Sequence, residues 1–143
     1  MKFLQPPNWP RPKGYANGVA TRGSLVFLSG IVGWNSQGEF VARDFPSQVR
    51  QALQNIVEVL KQAEAEPQHI ARMTWYVLDK NEYLASAKEM GVAYREIIGR
   101  HYPAMTVVEV SGLVEPNARV EIEVTAVVPD RFSSTVKEAV LRR

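Results

Sequence analysis

The segment Arg119-Val-Glu-Ile-Glu-Val-Thr-Ala-Val-Val128 has the clearest secondary-structure pattern in the chain. Its residues alternate with a period of two, one set being Val120, Ile122, Val124, Ala126 and Val128 and the other Arg119, Glu121, Glu123, Thr125 and Val127. Successive side chains of a strand point to opposite faces of a sheet. The pattern therefore predicts a strand over residues 119–128 whose apolar set faces a hydrophobic core.

Two earlier stretches carry apolar residues at the three- and four-residue spacing of an amphipathic helix. The first contains Phe45, Val49, Ala52, Leu53, Ile56 and Leu60, and the second contains Tyr83, Ala87, Met90, Tyr94, Ile97 and Ile98. Asp44 can cap the first helix, Pro46 lies in its first turn, and Pro67 stops it after about residue 65. The second helix follows Asn81 and ends at Gly99.

The remaining segments complete an α+β pattern. Strands are predicted at residues 15–21, 24–29, 72–78 and 106–110, and residues 32–41 are predicted to form a hairpin or a loop return. The order of these elements predicts an α+β fold in which two helices pack on one face of a mostly antiparallel sheet.

The sheet face away from the helices presents a problem, because two predicted strands are apolar on both faces. In residues 72–78, Met73, Trp75 and Val77 alternate with Thr74, Tyr76 and Leu78, and residues 24–29 are also apolar on both sides. Two helices cover one face only, so the other would leave an unusually large apolar patch in water. We therefore expect identical subunits to bury it in a closed symmetric oligomer, whose number of chains the pattern leaves open.

The 143 residues fit a single domain with one core. Residues 1–130 are predicted to form that domain, with a proline-rich extended arm at residues 1–13. Residues 131–143 form a basic tail, either a short helix or a loose segment. The tail holds four cations against one carboxylate, a local charge of +3, so the net charge of +2 leaves −1 on the body. A body with that charge provides no basic field for nucleic acid, so we expect no nucleic-acid partner.

Several kinds of site are excluded or disfavoured by composition. The chain has no cysteine, and its two histidines, His69 and His101, are far apart, so neither a metal nor an iron–sulfur cluster is expected. No glycine-rich phosphate loop and no G-x-S-x-G motif occurs, and no cofactor is predicted. Since no apolar run approaches the roughly 20 residues that span a bilayer, we predict a cytoplasmic protein with no membrane partner.

Glu121 and Glu123 are the first candidates for chemistry, because they share the face of the last strand opposite the core. On an ordinary strand such carboxylates are simply solvated. If a neighbouring subunit covers this face, however, one of them would lie in a partly desolvated cleft and could exchange protons with a ligand. Arg119, on the same face, could instead neutralise a carboxylate as an ion pair.

Five motifs together resemble the YjgF/RidA (Rid) family, also described as endoribonuclease L-PSP. They are Gly14-Tyr15-Ala16-Asn17-Gly18-Val19, Leu28-Ser29-Gly30, Gln48-x-x-Gln51-Ala52-Leu53-x-Asn55-Ile56, Pro103-Ala104 and Val120-Glu121-Ile122-Glu123. The resemblance covers about residues 12–129. It implies a chorismate-mutase-like fold, a homotrimer with clefts between subunits, and cofactor-independent hydrolysis of small-molecule imines or enamines, such as 2-imino acids, to keto acids and ammonia.

The resemblance also assigns roles to residues. Glu121 matches the acidic residue that handles the water and the proton, and Tyr15 matches the ring near the mouth of the cleft. Ser29 and Gly30 match the segment beside the substrate, and the backbone of Val107 matches the strand edge that orients water. One positioned carboxylate can deliver both the water and the proton that imine hydrolysis needs.

Two positions depart from the family pattern and make the cleft more apolar. Met105 replaces the arginine that follows Pro-Ala and clamps the substrate carboxylate, and Ile31 replaces the glutamine that follows Ser-Gly. Trp34 either extends this apolar trend or belongs to a core or an interface.

Three outcomes of the missing arginine remain open. A cation such as Arg100, Arg72 or His101 could reach the site from a neighbouring chain, the substrate could be uncharged or larger, or the protein could lack catalysis. The leading hypothesis is hydrolysis of an imine- or enamine-like metabolite of unknown identity. The alternative is a non-catalytic small-ligand binding or regulatory protein, and endoribonuclease or translation-inhibitor activity is less favoured.

Overall fold

The structure is a computed structural model that describes residues 1–130, so the predicted basic tail lies outside the described residues. Seven strands and three helices follow one another in these residues. In chain order they are β1 (Lys2–Leu4), β2 (Gly18–Ala20), β3 (Ser24–Phe27), β4 (Ile31–Val32), α1 (Phe45–Lys61), β5 (Ile70–Val77), α2 (Lys80–Ala85), α3 (Ala87–Ile97), β6 (Ala104–Glu109) and β7 (Val120–Val128). The predicted α+β class is confirmed.

Helix α1 begins as predicted and ends earlier. The Asp44 side chain accepts a hydrogen bond from the Ser47 N–H at 3.2 Å, which caps the first turn. The apolar stripe of the helix is buried. The helix ends at Lys61 rather than near residue 65, because Glu64 adopts a left-handed conformation with φ of 53° and the Ala65 N–H donates back to Leu60 O at 3.0 Å.

The second predicted helix is two helices, so the prediction of two helices is wrong. The break is at Ser86, whose φ of −101° and ψ of 12° lie outside the helical range. Serine favours helix ends over helix interiors because its hydroxyl competes for backbone hydrogen bonds. Asp79 caps the first piece by accepting from the Asn81 N–H at 2.8 Å. The apolar stripe continues across the break, and Met90 and Tyr94 are buried.

The main sheet has the order β3-β7-β5-β6, and β4 also pairs with β7. All pairs are antiparallel except β5 with β6, which confirms the mostly antiparallel prediction. Residues 32–41 form a loop return rather than a hairpin, in which Asn35 Oδ1 accepts from the N–H groups of Gln37 and Glu39 at 2.9 and 3.0 Å.

The proline-rich arm is tied to the body of the protein. Strand β1 pairs with β2 in a separate two-stranded sheet, with Phe3 opposite Val19. The Phe3 ring also meets the His101 ring edge-on, with their centroids 5.9 Å apart. Trp9 remains 60% exposed.

Strand register separates the two faces of the main sheet. Trp75 is directly opposite Ile122 on one side and Val107 on the other, and these residues share the face that the helices cover, here called the helix face. Tyr76 is opposite Glu121 and Val108, which share the other face, here called the outer face.

The outer face is apolar at its two edges, with Leu25 and Phe27 on β3 and Val108 on β6. Leu25 and Phe27 are 61% and 72% exposed. The centre of the face carries Tyr76, Glu121 and Glu123, so polar groups interrupt the apolar patch expected there. The period-two pattern correctly identifies which residues share this face. Tyr76, which the sequence analysis counted as apolar or aromatic, nevertheless places a hydroxyl group on it.

Gln48 connects α1 to two loops from inside the protein. Its side chain is only 1% exposed, donates to Ala42 O at 3.2 Å and Asn117 O at 2.9 Å, and accepts from the Arg119 N–H at 2.7 Å. This one side chain therefore fixes the start of β7 relative to α1.

Replacing Gln48 with leucine should lower the free energy of unfolding by about 2–4 kcal/mol, because three part-buried backbone groups would lose their hydrogen bonds to this side chain. Urea denaturation measures the change. Gln54→Leu, on the exposed side of the same helix, is the matched control and should shift stability by about 0.5 kcal/mol or less. Equal stability of the two variants would contradict the role of Gln48.

Candidate functional site

The predicted catalytic carboxylate lies beside an open stretch of backbone. Glu121 is half-buried on the outer face, and Ser29 and Gly30 next to it are exposed. A Cβ at Gly30 would lie 2.6 Å from the Glu121 carboxyl carbon, so the carboxylate packs directly against this glycine. The structure thus brings together Glu121, Ser29 and Gly30.

The two glutamates of β7 differ in their partners. The Tyr76 hydroxyl donates to Glu123 Oε1 at 2.7 Å. This hydrogen bond, together with partial burial and the negative charges of Glu123 and Glu121, raises the pKa of Tyr76 above its ordinary value of 10.0. Within residues 1–130 no group hydrogen-bonds the Glu121 side chain. Glu121 is therefore the carboxylate available to a ligand.

Arg119 does not neutralise either glutamate, so that alternative is wrong. Its guanidinium binds Glu82 of α2, with Nη2 at 2.5 Å and Nε at 2.8 Å from Oε1. The N-terminal end of β7 is thereby joined to the helix layer, which leaves the outer face without this cation.

Tyr15, Met105 and Val107 form a second group. They line a cavity of about 270 Å³ together with Tyr83. The loop that carries Tyr15 is held against β6 by a hydrogen bond from the Ala16 N–H to Pro103 O at 2.9 Å. Because Met105 is opposite Met73 and Val107 opposite Trp75, both belong to the helix face.

The two groups therefore lie on opposite faces of the same sheet. Glu121 belongs to the outer face through its pairing with Tyr76, whereas Met105 and Val107 belong to the helix face. Side chains on opposite faces of a sheet do not meet through it. The candidate residues of one chain are thus divided into an outer-face group and a helix-face group, here called half-sites.

The remaining candidates lie apart from both groups. Ile31 is opposite Ile122 and packs partly buried against the core. Trp34 is 37% exposed and contacts the Phe40 ring at 5.9 Å. His101 Nε2 is 2.6 Å from Ile70 O, which ties this ring to the backbone.

Two further cationic candidates from the sequence analysis are Arg72 and Arg100. Arg72 is exposed on β5, opposite Thr125 of β7. Arg100 borders a surface cavity of about 320 Å³ that Tyr15 also lines. Of these two, only Arg100 lies near the Tyr15 group.

Sequence reasoning missed a larger cavity on the helix face, here called the aromatic cavity. It measures about 450 Å³, and its lining includes Trp75, Tyr83, Tyr94, Tyr102, Arg95 and Met105. Tyr83 and Tyr94 belong to the apolar stripe that predicted the helix, and periodicity cannot separate a core position from a cavity wall. The available signal was Gly91, a glycine inside a helical pattern.

The aromatic side chains of this cavity are held in fixed positions. The Tyr94 and Tyr102 rings stack with centroids 5.5 Å apart, and the Tyr94 hydroxyl donates to His101 O at 2.6 Å. Burial raises the pKa of both Tyr83 and Tyr94, so their hydroxyls stay protonated. The buried Trp75 indole N–H finds no acceptor within residues 1–130.

Within the described part of the chain, no cluster of three or more His, Asp or Glu side chains has an arrangement that could hold a metal ion. No helix there is both long and apolar enough to cross a bilayer.

Comparison with known proteins identifies relatives along nearly the whole chain. Residues 9–128 match the family model described as Endoribonuclease L-PSP. A RutC family protein of Pyrococcus horikoshii is 32% identical over 120 residues, which is 83% of this chain and 91% of the relative. A Salmonella typhimurium protein named 2-iminobutanoate/2-iminopropanoate deaminase is 30% identical over 130 residues, covering 88% of this chain and 97% of the relative.

Solved structures with the same fold include two of particular interest. YyfB of Yersinia pestis, described as a protein of unknown function of the conserved Rid protein family, has a TM-score of 0.75 and 28% identity, covering 89% of this chain and 98% of its own. Escherichia coli TdcF, solved with bound serine, has a TM-score of 0.65 and 28% identity, covering 90% and 99%.

Changing Glu123 to glutamine should lower the Tyr76 pKa toward 10.0, because the charged acceptor that favours the neutral phenol is removed. Nuclear magnetic resonance titration of the tyrosine ring carbons measures the shift. Glu121→Gln, which removes only a weaker electrostatic contribution, should lower the pKa less. A Tyr76 titration unchanged by Glu123→Gln would show that the Tyr76–Glu123 hydrogen bond does not form in solution.

Proposed function

Since the chain belongs to the Endoribonuclease L-PSP family, we propose that it hydrolyses an imine- or enamine-type small molecule, without a cofactor, in a cleft between subunits. The observation that carries this proposal is Glu121, a half-buried carboxylate without a hydrogen-bond partner in residues 1–130 that packs against the exposed backbone of Gly30. The relative named 2-iminobutanoate/2-iminopropanoate deaminase supports the reaction class.

The separation of the half-sites supports a cleft between subunits. Glu121 with Gly30 and Met105 with Tyr15 cannot combine within one chain, but the outer-face group of one copy can meet the helix-face group of another. Leu25 and Phe27 are exposed apolar residues of the outer face, and contact with another copy would remove their apolar surface from water. We propose the homotrimer and chorismate-mutase-like arrangement that the family resemblance implies.

The chemistry needs one acid–base group and one water molecule. The Glu121 carboxylate accepts a proton from water while the water oxygen forms a bond to the imine carbon, and the C=N electron pair moves to nitrogen, which takes up a proton. The resulting carbinolamine then loses ammonia as the C–N bond breaks and the hydroxyl becomes a carbonyl. A single carboxylate can remove the first proton and return one to the departing nitrogen.

Tyr15 and Val107 of the second half-site would then face the reacting carbon, the first as a wall of the cleft and the second through its backbone. Met105 can bury apolar ligand surface but offers no charge to a carboxylate. A substrate carboxylate therefore needs a cation other than one at position 105.

A second function has its own support. TdcF was solved with bound serine, so a relative of this fold holds a small ligand. Loss of the arginine at position 105 is compatible with ligand binding without turnover. Cleavage of RNA, which the family description names, is disfavoured by the charge of −1 that residues 1–130 carry when the tail is excluded.

Glu121→Gln should lower the rate of ammonia release from freshly generated 2-iminopropanoate or an aminomuconate-type enamine by about 100-fold or more, because the acid–base group is lost. Glu123→Gln, on the same strand and face, is the matched control and should retain a rate within about twofold. If the wild-type protein releases no ammonia above buffer from these compounds or from 2-imino-3-phenylpropanoate, or if Glu121→Gln is fully active, hydrolysis by this site is excluded.

Phe27→Asp should convert a trimer into single chains of 16.1 kDa, because a charge would be buried on the outer face. Sedimentation equilibrium measures the mass. Val114→Asp provides the control, since Val114 is 99% exposed in a loop. A wild-type mass equal to one chain would overturn both the trimer and the shared cleft.

A further inference from the structure

The aromatic cavity lies between the edge strand β6 and the helices α2 and α3, and it has an inner wall and a rim. Trp75, Met90 and Tyr94 are at most 8% exposed and form the inner wall. Leu84, Ala87 and Arg95 line the same cavity but are exposed, so they form the rim. A volume of about 450 Å³ is within the usual range for small-molecule sites. The cavity can therefore admit a ring-sized group from solvent.

The chemistry of the wall favours a flat apolar group. Trp75 and Tyr83 meet edge-on with centroids 6.3 Å apart, while Tyr94 and Tyr102 stack. Aromatic walls of this kind bind another planar ring through offset stacking and edge-to-face contacts. Met105, where the family has an arginine, adds a further apolar contact rather than a charge.

Arg95 supplies a cation at the rim. It is four residues after Gly91 on α3, so the two positions lie on the same side of the helix. A Cβ at Gly91 would lie 3.1 Å from Arg95 Nη1 and 3.8 Å from both Nη2 and Cζ. The guanidinium therefore lies over the glycine at the exposed rim of the cavity, and no acidic side chain of residues 1–130 forms an ion pair with it.

We propose that the aromatic cavity binds the flat apolar side chain of a carboxylate ligand and that Arg95 binds its carboxylate at the rim. A planar guanidinium can hold a carboxylate through two parallel hydrogen bonds. Arg95 on α3 thus takes over, from a different element of the fold, the role that Met105 cannot perform.

The substrate class rests on the proposed function. If the chain hydrolyses imines, the ligand is a 2-imino acid with an aromatic or similarly flat side chain. With the ring inside and the carboxylate at the rim, the imine carbon between them would lie at the cavity mouth. Met105 lines both this cavity and the smaller one beside Tyr15 and Val107, so the mouth opens toward the helix-face half-site.

The test compares two keto acids as probes, phenylpyruvate and pyruvate, by titration calorimetry on the full chain. Phenylpyruvate is the hydrolysis product of an aromatic imino acid and should bind about tenfold tighter or more than pyruvate, because the cavity buries its ring. Arg95→Met should weaken phenylpyruvate binding about tenfold or more. Lys88→Met removes a cation from the same helix outside the cavity and should leave the affinity unchanged.

A second variant tests the cavity itself. Ala87→Trp places a ring at the rim from an exposed position, so the fold should be retained, and phenylpyruvate should then bind no better than pyruvate. Equal affinities of the wild-type protein for the two probes, or unchanged binding in Arg95→Met, would overturn the inference. So would an Ala87→Trp variant that changes the assembly mass without affecting the probe, because a neighbouring subunit would then occupy the cavity.

Ammonia release from 2-iminopropanoate and 2-imino-3-phenylpropanoate separates this inference from the proposed function. If phenylpyruvate binding depends on Arg95 and Ala87 but neither imine is hydrolysed, the binding site stands and hydrolysis fails. If both imines are hydrolysed at equal rates and the two probes bind equally, hydrolysis stands and the aromatic site fails.

Discussion

The alternation of side chains along β7 is the constraint on which the rest of the structure depends. This strand is flanked by β5 and by β3 with β4, so its helix-face residues form the middle of the core and its outer-face residues form the middle of the opposite surface. Ile122 and Glu121 are neighbours in the chain but belong to different environments. A shift of one residue in register would move the carboxylates into the core, so the hydrophobic pattern fixes the register strongly.

That constraint also separates the candidate site residues onto two faces of the sheet. The carboxylate is on the outer face, whereas the loop that carries Tyr15 is held against β6 and its ring lies beside Met105 on the helix face. No side-chain movement brings groups together through a hydrogen-bonded sheet. Under the proposed function a second copy would complete the site, and the burial that forms the cleft would also remove water from around Glu121, which strengthens electrostatic interactions with a bound ligand.

The elements with long periodic patterns were predictable from the sequence, because burial dictates those patterns directly. The α1 stripe from Phe45 to Leu60 and the alternation in β7 both occur as predicted. The break at Ser86 was not predictable from the apolar stripe, since the three- and four-residue spacing continues from Tyr83 across the break to Met90 and Tyr94. Arg119 lies next to two glutamates in sequence but binds Glu82, because only the tertiary fold brings α2 to the start of β7.

The candidate site shows the same limit more sharply. Motif order identified Glu121, Tyr15 and Gly30, but their separation onto two faces depends on register in β5, β6 and β7 together. The aromatic cavity could not be recognised from the sequence, because Trp75, Tyr83 and Tyr94 are residue types that also fill a core. What distinguishes the cavity from a core is Gly91, which leaves room for Arg95 to fold back over the helix. Gly91 and Arg95 both line the aromatic cavity, so under the inference drawn above a cation on α3 compensates for the charge that is missing at Met105.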